Sequence, residues 1–134
     1  MTATDLAKRA PSWSYAGLVQ EKAATHGERI FARFADRDVA YVDLDRRSNS
    51  VGNGLRSLGL APGEKVAVLL PNTPEFLDVW FATEKIGAVM VPVNISLKGE
   101  GLKYIIAHSD SVAVVVHDEC VDQFLAIRDG LPAV

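Results

Sequence analysis

Three continuous apolar runs, separated by amphipathic segments, constrain the fold of this chain more than any other feature. The runs cover residues 66–70, 88–93 and 112–116. Short runs of this kind are typical of strands that are buried on both faces of a parallel sheet. Strands that alternate with helices favour an α/β fold, a mostly parallel sheet with helices on both faces. We therefore predict this fold class for the chain after residue 42.

The longest predicted helix begins near Asp43, whose carboxylate favours the free N–H groups of a first turn. Its apolar face has residues spaced three or four apart: Leu44, Ser48, Val51, Leu55 and Leu58. Gly52 and Gly54 lie inside this helix, whereas dinucleotide-binding glycines follow a strand and open a helix. We therefore expect these two glycines to allow close helix packing.

The later helices are predicted from their capping residues. Thr73 followed by Pro74 starts a helix that stops at Gly87, and Ser96 and Asp118 are expected to cap the next two helices. The first of these helices presents one face of larger residues: Phe76, Val79, Trp80 and Thr83. We expect Phe76, together with Trp80, to pack on the sheet.

A small N-terminal unit precedes the alternating pattern. After a polar lead-in that ends at Pro11, Ser12 or Ser14 can cap a short helix over residues 15–25. Residues 30–34 and 39–42 then alternate apolar and polar side chains around an acidic turn, which predicts a β-hairpin. We find no linker or repeat, so residues 1–134 are expected to form one unit without an internal boundary.

Composition excludes several functional classes. The net charge of −3 argues against nucleic-acid binding, which needs a basic surface. The longest apolar stretch, residues 86–93, is far shorter than a membrane span, and residues 1–10 do not resemble a signal peptide. The single cysteine, Cys120, cannot form an internal disulfide. These features favour a cytoplasmic protein.

The chain contains no self-contained catalytic set. It has no Walker loop, no correctly placed Rossmann fingerprint and no Gly-x-Ser-x-Gly turn. The histidines His26, His108 and His117 have no metal-ligand spacing with Cys120. We therefore predict no catalytic residue and no metal ligand in these 134 residues.

One loop is a candidate binding site. Residues 94–98 follow the carboxyl end of a predicted strand and open a helix, where α/β sheets bind ligands and where backbone N–H groups favour anions. Ser96 and Lys98 are the candidate residues, Lys98 because it adds a positive charge. The alternative is that Ser96 is only a helix cap and Lys98 only a solvated side chain.

Four blocks, in order and with fitting spacing over about residues 29–117, resemble the opening of adenylate-forming acyl-CoA synthetases. The blocks are YVDLDRRSN at residues 41–49, LRSLGLAPGEKVAV at 55–68, PNTPEF at 71–76 and GAVMVPVN at 87–94. Ala40 and Asp43 stand where that family often has Thr and Glu. In detail the blocks look like those of fatty-acid or carnitine-type CoA ligases.

The resemblance implies a reaction and a place within a longer enzyme. Such ligases join a carboxylate to ATP, releasing pyrophosphate, and then transfer the acyl group from the adenylate to coenzyme A. Their lysine-bearing phosphate loop and catalytic lysine come after the portion present here. The chain is therefore expected to be the N-terminal part of the large adenylate-forming domain and to be inactive alone. ATP, Mg²⁺ and coenzyme A are implied for the full enzyme, and none is expected to bind this fragment alone.

The resemblance also implies partners. The first is the remainder of the enzyme, and the substrate is a fatty acid or another carboxylate. In related ligases a basic residue in the loop of Ser96 and Lys98 can approach the phosphates of coenzyme A. A truncated domain exposes former interior, so a homodimer through the normally covered face is also expected. The competing hypothesis is a stand-alone flavodoxin-like domain that binds a small ligand or acts as an interaction module.

Overall fold

The computed structural model describes residues 14–131. The lead-in to Pro11, residues 1–10, the Ser12 alternative and the expected stop at Pro132 lie outside this range. The elements, in chain order, are α1 (Tyr15–His26), β1 (Ile30–Arg33), β2 (Asp38–Ala40), α2 (Tyr41–Ser57), β3 (Lys65–Leu69), α3 (Pro74–Ile86), β4 (Val89–Pro92), α4 (Gly99–His108), β5 (Ser111–Val116), a 3₁₀ turn (Asp118–Cys120) and α5 (Val121–Arg128).

The predicted α/β class is confirmed by a three-stranded parallel sheet in the order β4-β3-β5. Side chains alternate between the faces of the central strand β3. Val66 and Val68 pack with α2 and α3 on one face, and Ala67 and Leu69 pack with α4 and α5 on the other. The run of residues 66–70 is buried on both faces, as predicted, because helices cover both. The same prediction is wrong for the edge strands β4 and β5, which are only partly buried, with Val89 46% and Val112 40% exposed.

The N-terminal unit forms a further layer over α2 and α3. The antiparallel hairpin of β1 and β2 is confirmed, and α1 begins after Ser14, whose hydroxyl accepts from the Gly17 N–H at 2.9 Å. Val19, Val39, Leu44 and Phe81 form the core between this layer and the helices. The prediction that strand continues to residue 42 is wrong, because α2 already begins at Tyr41.

Helix α2 uses most, but not all, of its predicted face. Leu44 and Ser48 are fully buried, whereas Leu58 is 86% exposed because the helix has ended and Leu60 enters the core instead. A β-carbon at Gly52 would lie 3.0 Å from the Ile86 side chain, so this glycine does allow α2 and α3 to pack closely. Gly54 has no such neighbour, and its predicted packing role is wrong.

The predicted start and end of α3 are confirmed, although Thr73 makes no side-chain cap hydrogen bond, and the cap predictions fail for the two following helices. Thr73 is the N-cap residue of α3, and Gly87 ends that helix in the left-handed region at φ 73°. Ser96 is not a cap, because α4 begins three residues later with Lys98 at its N-cap. Asp118 starts the 3₁₀ turn, whose N-cap is His117, and does not cap α5.

Candidate functional site

The carboxyl ends of the three parallel strands meet at one edge of the sheet. There the segments after β3 and β4 border an open groove of about 360 Å³. Its walls are mostly apolar, with two asparagines: Leu70, Pro71, Asn72, Phe76, Pro92, Val93, Asn94 and Ile95. Ligands of open α/β sheets bind at this edge. The first two residues of the candidate loop, Asn94 and Ile95, line this groove, whereas Ser96 and Lys98 do not.

The loop of residues 94–98 is held at its start and open at its end. The Asn94 side-chain oxygen accepts from the Ser96 N–H at 2.9 Å, and the Gln123 side chain donates to the Ile95 carbonyl at 3.0 Å. Ser96 and Lys98 are both exposed. Lys98 forms no ion pair with any residue in the range 14–131, so its ammonium group is accessible to an anion.

The two candidate residues occupy different positions relative to α4. Lys98 is the N-cap residue with extended backbone at φ −138°, so it lies directly beside the free N–H groups of the first turn. Ser96 lies two residues earlier in a turn, with its N–H already bonded. The arrangement suits Lys98 for contact with a phosphate better than it suits Ser96.

The histidines and Cys120 are dispersed over the described residues. His26 contacts Thr25, the His108 ring stacks on Tyr104, and His117 Nδ1 lies 2.8 Å from an Asp118 carboxylate oxygen. Cys120 is buried in the core beneath α4 and α5. Residues 14–131 contain no group of three His, Cys, Asp or Glu side chains that could hold a metal ion. We therefore assign no nucleophile, base or metal ligand within this range.

The buried charges connect α2 to α3 and are structural. Lys85, with its side chain 7% exposed, donates to the Asp45 carboxylate at 2.7 Å and to the Asn49 side chain at 2.9 Å. Arg47 donates to Asp78 at 3.2 Å. Sequence reasoning missed these pairs, although Asp78 and Lys85 are seven residues apart, the spacing of one helical face over two turns.

Two carboxyl groups of α3 have shifted pKa values. Burial raises the pKa of Asp78, and the nearby charge of Arg47 offsets part of that increase. For Glu75, burial raises the pKa, but hydrogen bonds from its backbone N–H and from Arg37, together with the Arg37 charge, prevail and lower it. Neither group lines the groove at the strand ends. Their ionisation therefore affects stability more directly than ligand binding.

The described residues form a parallel sheet between two helical layers and contain no catalytic set. This is an α/β scaffold with one edge of the sheet accessible to ligands. The family model of the AMP-binding enzyme matches residues 19–133. The chain therefore belongs to the AMP-binding enzyme family, as its four sequence blocks predicted.

Relatives of this chain include several CoA ligases. It is 37% identical over 94 residues to the crotonobetaine/carnitine–CoA ligase of Salmonella paratyphi A, which covers 70% of this chain and 18% of that protein. It superposes over 100% of its length on 25% of the anthranilate CoA ligase AuaEII, with a TM-score of 0.87 and 27% identity.

A third relative is an isolated part of such a ligase. The N-terminal domain of FACL13 from Mycobacterium tuberculosis matches 84% of this chain and 29% of its own length, with a TM-score of 0.78 and 28% identity. The chain thus spans only a minor share of the relatives it matches. These similarities favour the ligase interpretation over a stand-alone flavodoxin-like domain.

No helix among residues 14–131 combines the length and the hydrophobicity that crossing a bilayer requires.

Proposed function

We propose that residues 1–134 form the N-terminal part of the large adenylate-forming domain of an acyl-CoA ligase. The complete enzyme would convert a carboxylate, ATP and coenzyme A into acyl-CoA, AMP and pyrophosphate through an acyl-adenylate. The observation that carries this proposal is the family match over residues 19–133, supported by the superposition of the whole chain on AuaEII. The remainder of the polypeptide is then the principal partner, and the cytoplasm its location.

Within that enzyme this chain would supply scaffold and one loop, while the remainder supplies the phosphate-binding chemistry. The parallel sheet fixes the groove at the strand ends, and the helices on both faces keep that edge rigid. The described residues contain no group of side chains that could hold a metal ion, so we assign no step of the ATP chemistry to them. ATP and Mg²⁺ would be held by the remainder.

The substrate class follows from the reaction. The acyl donor would be a fatty acid or another carboxylic acid, and two relatives are named as ligases for crotonobetaine/carnitine and for anthranilate. Adenylation replaces a poor leaving group, the carboxylate oxygen, by AMP, which the thiol of coenzyme A can displace. We assign no acid-selecting residue to this chain.

The assay for this proposal is thioester formation by the polypeptide that carries this chain. With ATP, Mg²⁺, coenzyme A and a panel of carboxylic acids, we expect acyl-CoA, AMP and pyrophosphate in equal amounts for at least one acid. Hydrolysis of ATP to ADP, or no acid-dependent pyrophosphate across the panel, would overturn the proposal.

Lys98 is the residue of this chain that we propose to contact coenzyme A, with Ser96 beside it. Lys98, which has no ion pair within residues 14–131, lies at the start of α4, where the free N–H groups also favour a phosphate. An exposed charge-assisted contact is modest, so we expect Lys98→Ala in the complete enzyme to raise KM for coenzyme A about three- to tenfold. The adenylation half-reaction should be unchanged, because the contact belongs to the thioester step.

Lys65 provides the matched control for this experiment. It is a half-exposed lysine at the start of β3, at the opposite end of the sheet, where it pairs with Asp110 at 3.2 Å. Lys65→Ala should leave KM for coenzyme A unchanged. If Lys98→Ala instead slows pyrophosphate release and leaves the coenzyme A dependence untouched, the assignment of this loop to the thioester step is wrong.

A further inference from the structure

The loop that carries Lys98 is joined to α5 by a single side chain. Gln123, in the first turn of α5, donates its side-chain N–H to the Ile95 carbonyl at 3.0 Å, across 28 positions of the sequence. Among residues 14–131, this is the one hydrogen bond that reaches residues 94–98 from another element. The loop therefore depends on Gln123 for its polar connection to the rest of the described fold.

Alternate residues of this segment are fixed in different ways. The Val93 N–H donates to a carbonyl of β3 at 2.9 Å, and Leu97 packs against the core beneath α4 and α5. Ile95, midway between them, has a side chain that is 37% exposed, so packing contributes less to holding it. The bond from Gln123 fixes the backbone at this middle position, three residues before Lys98.

The helix that carries Gln123 gives this side chain a fixed base. The neighbouring residues Phe124 and Ile127 pack into the core that α4 and α5 share, and Gln123 itself is half-buried. A side chain that is already restricted by its surroundings loses less conformational entropy when it forms a hydrogen bond. An amide also donates to a carbonyl without adding charge next to a site for an anion. Gln123 is therefore suited to holding the loop without competing for its ligand.

We propose that Gln123 is a positioning residue for the contact between Lys98 and coenzyme A, an inference that rests on the function proposed above. Gln123 does not touch the ligand. It holds the Ile95 carbonyl against α5 and thereby keeps the loop in the conformation that places Lys98 at the N-cap of α4. The apparent affinity for a ligand falls with the fraction of molecules in the binding conformation, so a looser loop binds phosphate more weakly.

Gln123→Met tests this role in the complete enzyme, because methionine has a similar length, no donor and no charge. We expect KM for coenzyme A to rise about two- to fourfold, with the rate of the adenylation half-reaction unchanged. Gln20→Met is the matched control. Gln20 is exposed on α1, in the N-terminal layer on the other face of the sheet, so the same substitution there should change neither quantity.

A double variant separates this inference from the proposed function. If Gln123 acts through the Lys98 ammonium, Lys98→Ala/Gln123→Met should have the same KM for coenzyme A as Lys98→Ala alone. An increase for Lys98→Ala but not for Gln123→Met would overturn the inference and leave the Lys98 contact standing. Increases that multiply in the double variant would also overturn the inference. No increase for Lys98→Ala would refute the contact itself, and the inference with it.

Amide hydrogen exchange of the loop provides a reading that does not involve coenzyme A. The Ser96 and Leu97 N–H groups donate to Asn94 at 2.9 and 3.0 Å, and their exchange reports how often this turn opens. In the complete enzyme we expect both to exchange at least about threefold faster in Gln123→Met than in Gln20→Met. Equal exchange rates would overturn the inference whatever the kinetics show, because the loop would then be held without Gln123.

Discussion

Replacing Phe81 by alanine should lower the free energy of unfolding by about 3–5 kcal/mol. The Phe81 side chain is 4% exposed and lies where α3 meets the N-terminal layer. The centre of its ring lies 5.7 Å from the centre of the Phe31 ring, edge to face, and 5.6 Å from that of the Trp80 ring, in a stacked arrangement. Truncation therefore leaves a cavity between layers and removes aromatic contacts from both sides. Such a loss is a large part of the stability of a typical domain.

The neighbouring Phe76 supplies the control for this experiment. It lies in the same helix but is half-buried, against the sheet core and at the groove at the strand ends. Phe76→Ala should cost about 2 kcal/mol, because less apolar area returns to water. Urea titrations of both variants, with equal slopes, measure the two values. An equal or larger loss for Phe76→Ala would contradict the assignment of Phe81 to the interior.

Replacing Asp78 alone should destabilise the chain more than replacing both members of its ion pair. The Asp78 side chain is 9% exposed and that of Arg47 is 29% exposed, and one Arg47 nitrogen is already buried without a partner among the described residues. Asp78→Leu alone leaves the guanidinium uncompensated, so we expect a loss of about 3 kcal/mol. The double variant Arg47→Met/Asp78→Leu should lie within about 1 kcal/mol of the original chain, because apolar pairs can replace buried ion pairs.

Chemical denaturation of the two single variants and the double variant completes the thermodynamic cycle. Additive losses would mean that Arg47 and Asp78 do not act as a pair. The pH dependence provides a second test, because burial raises the pKa of Asp78 in the folded chain. The folded state then binds this proton more tightly than the unfolded state. The stabilisation from that proton is fully present below the unfolded pKa and is lost as pH rises through the folded pKa.

In that pH window the original chain should therefore gain stability relative to Asp78→Asn as the pH falls. A difference between the two chains that grows in the opposite direction would mean that pairing with Arg47, and not burial, dominates the ionisation of Asp78.

The sheet was predictable because its signal lies in single short segments. The apolar run of the central strand is buried on both sides, and its alternate residues Val66 and Ala67 pack on opposite faces. Leu58 was mispredicted because the apolar spacing continues one residue past the end of α2 at Ser57, just before Gly59, at φ 98°, turns the chain. Phe81 and Asp78 were missed because α3 is covered on two sides. The second layer over α3 is the N-terminal unit. The spacing of residues within α3 does not show that this separate segment packs on the helix.

The position of the candidate loop between β4 and α4 was predictable, but the residue at which α4 begins was not. The order of the elements predicts that a loop follows β4 and leads into a helix, at the edge of the sheet where α/β proteins bind ligands. The residue at which that helix starts could not be predicted, because two local effects shift it. Asn94 captures the Ser96 N–H, and Gly99 takes a left-handed conformation at φ 52° as the helix begins. The cap position therefore belongs to Lys98 and not to Ser96.

The most direct measurement compares acid-dependent pyrophosphate release by the 134-residue chain and by the complete polypeptide that carries it. Both are incubated with ATP, Mg²⁺ and the same panel of carboxylic acids. We expect multiple-turnover release from the complete polypeptide and none above blank from the chain alone, because the proposed function assigns the groups that stabilise charge on the phosphates to the remainder. Multiple-turnover release by the chain alone would contradict the assignment of these residues to scaffold and would place the adenylation chemistry within them.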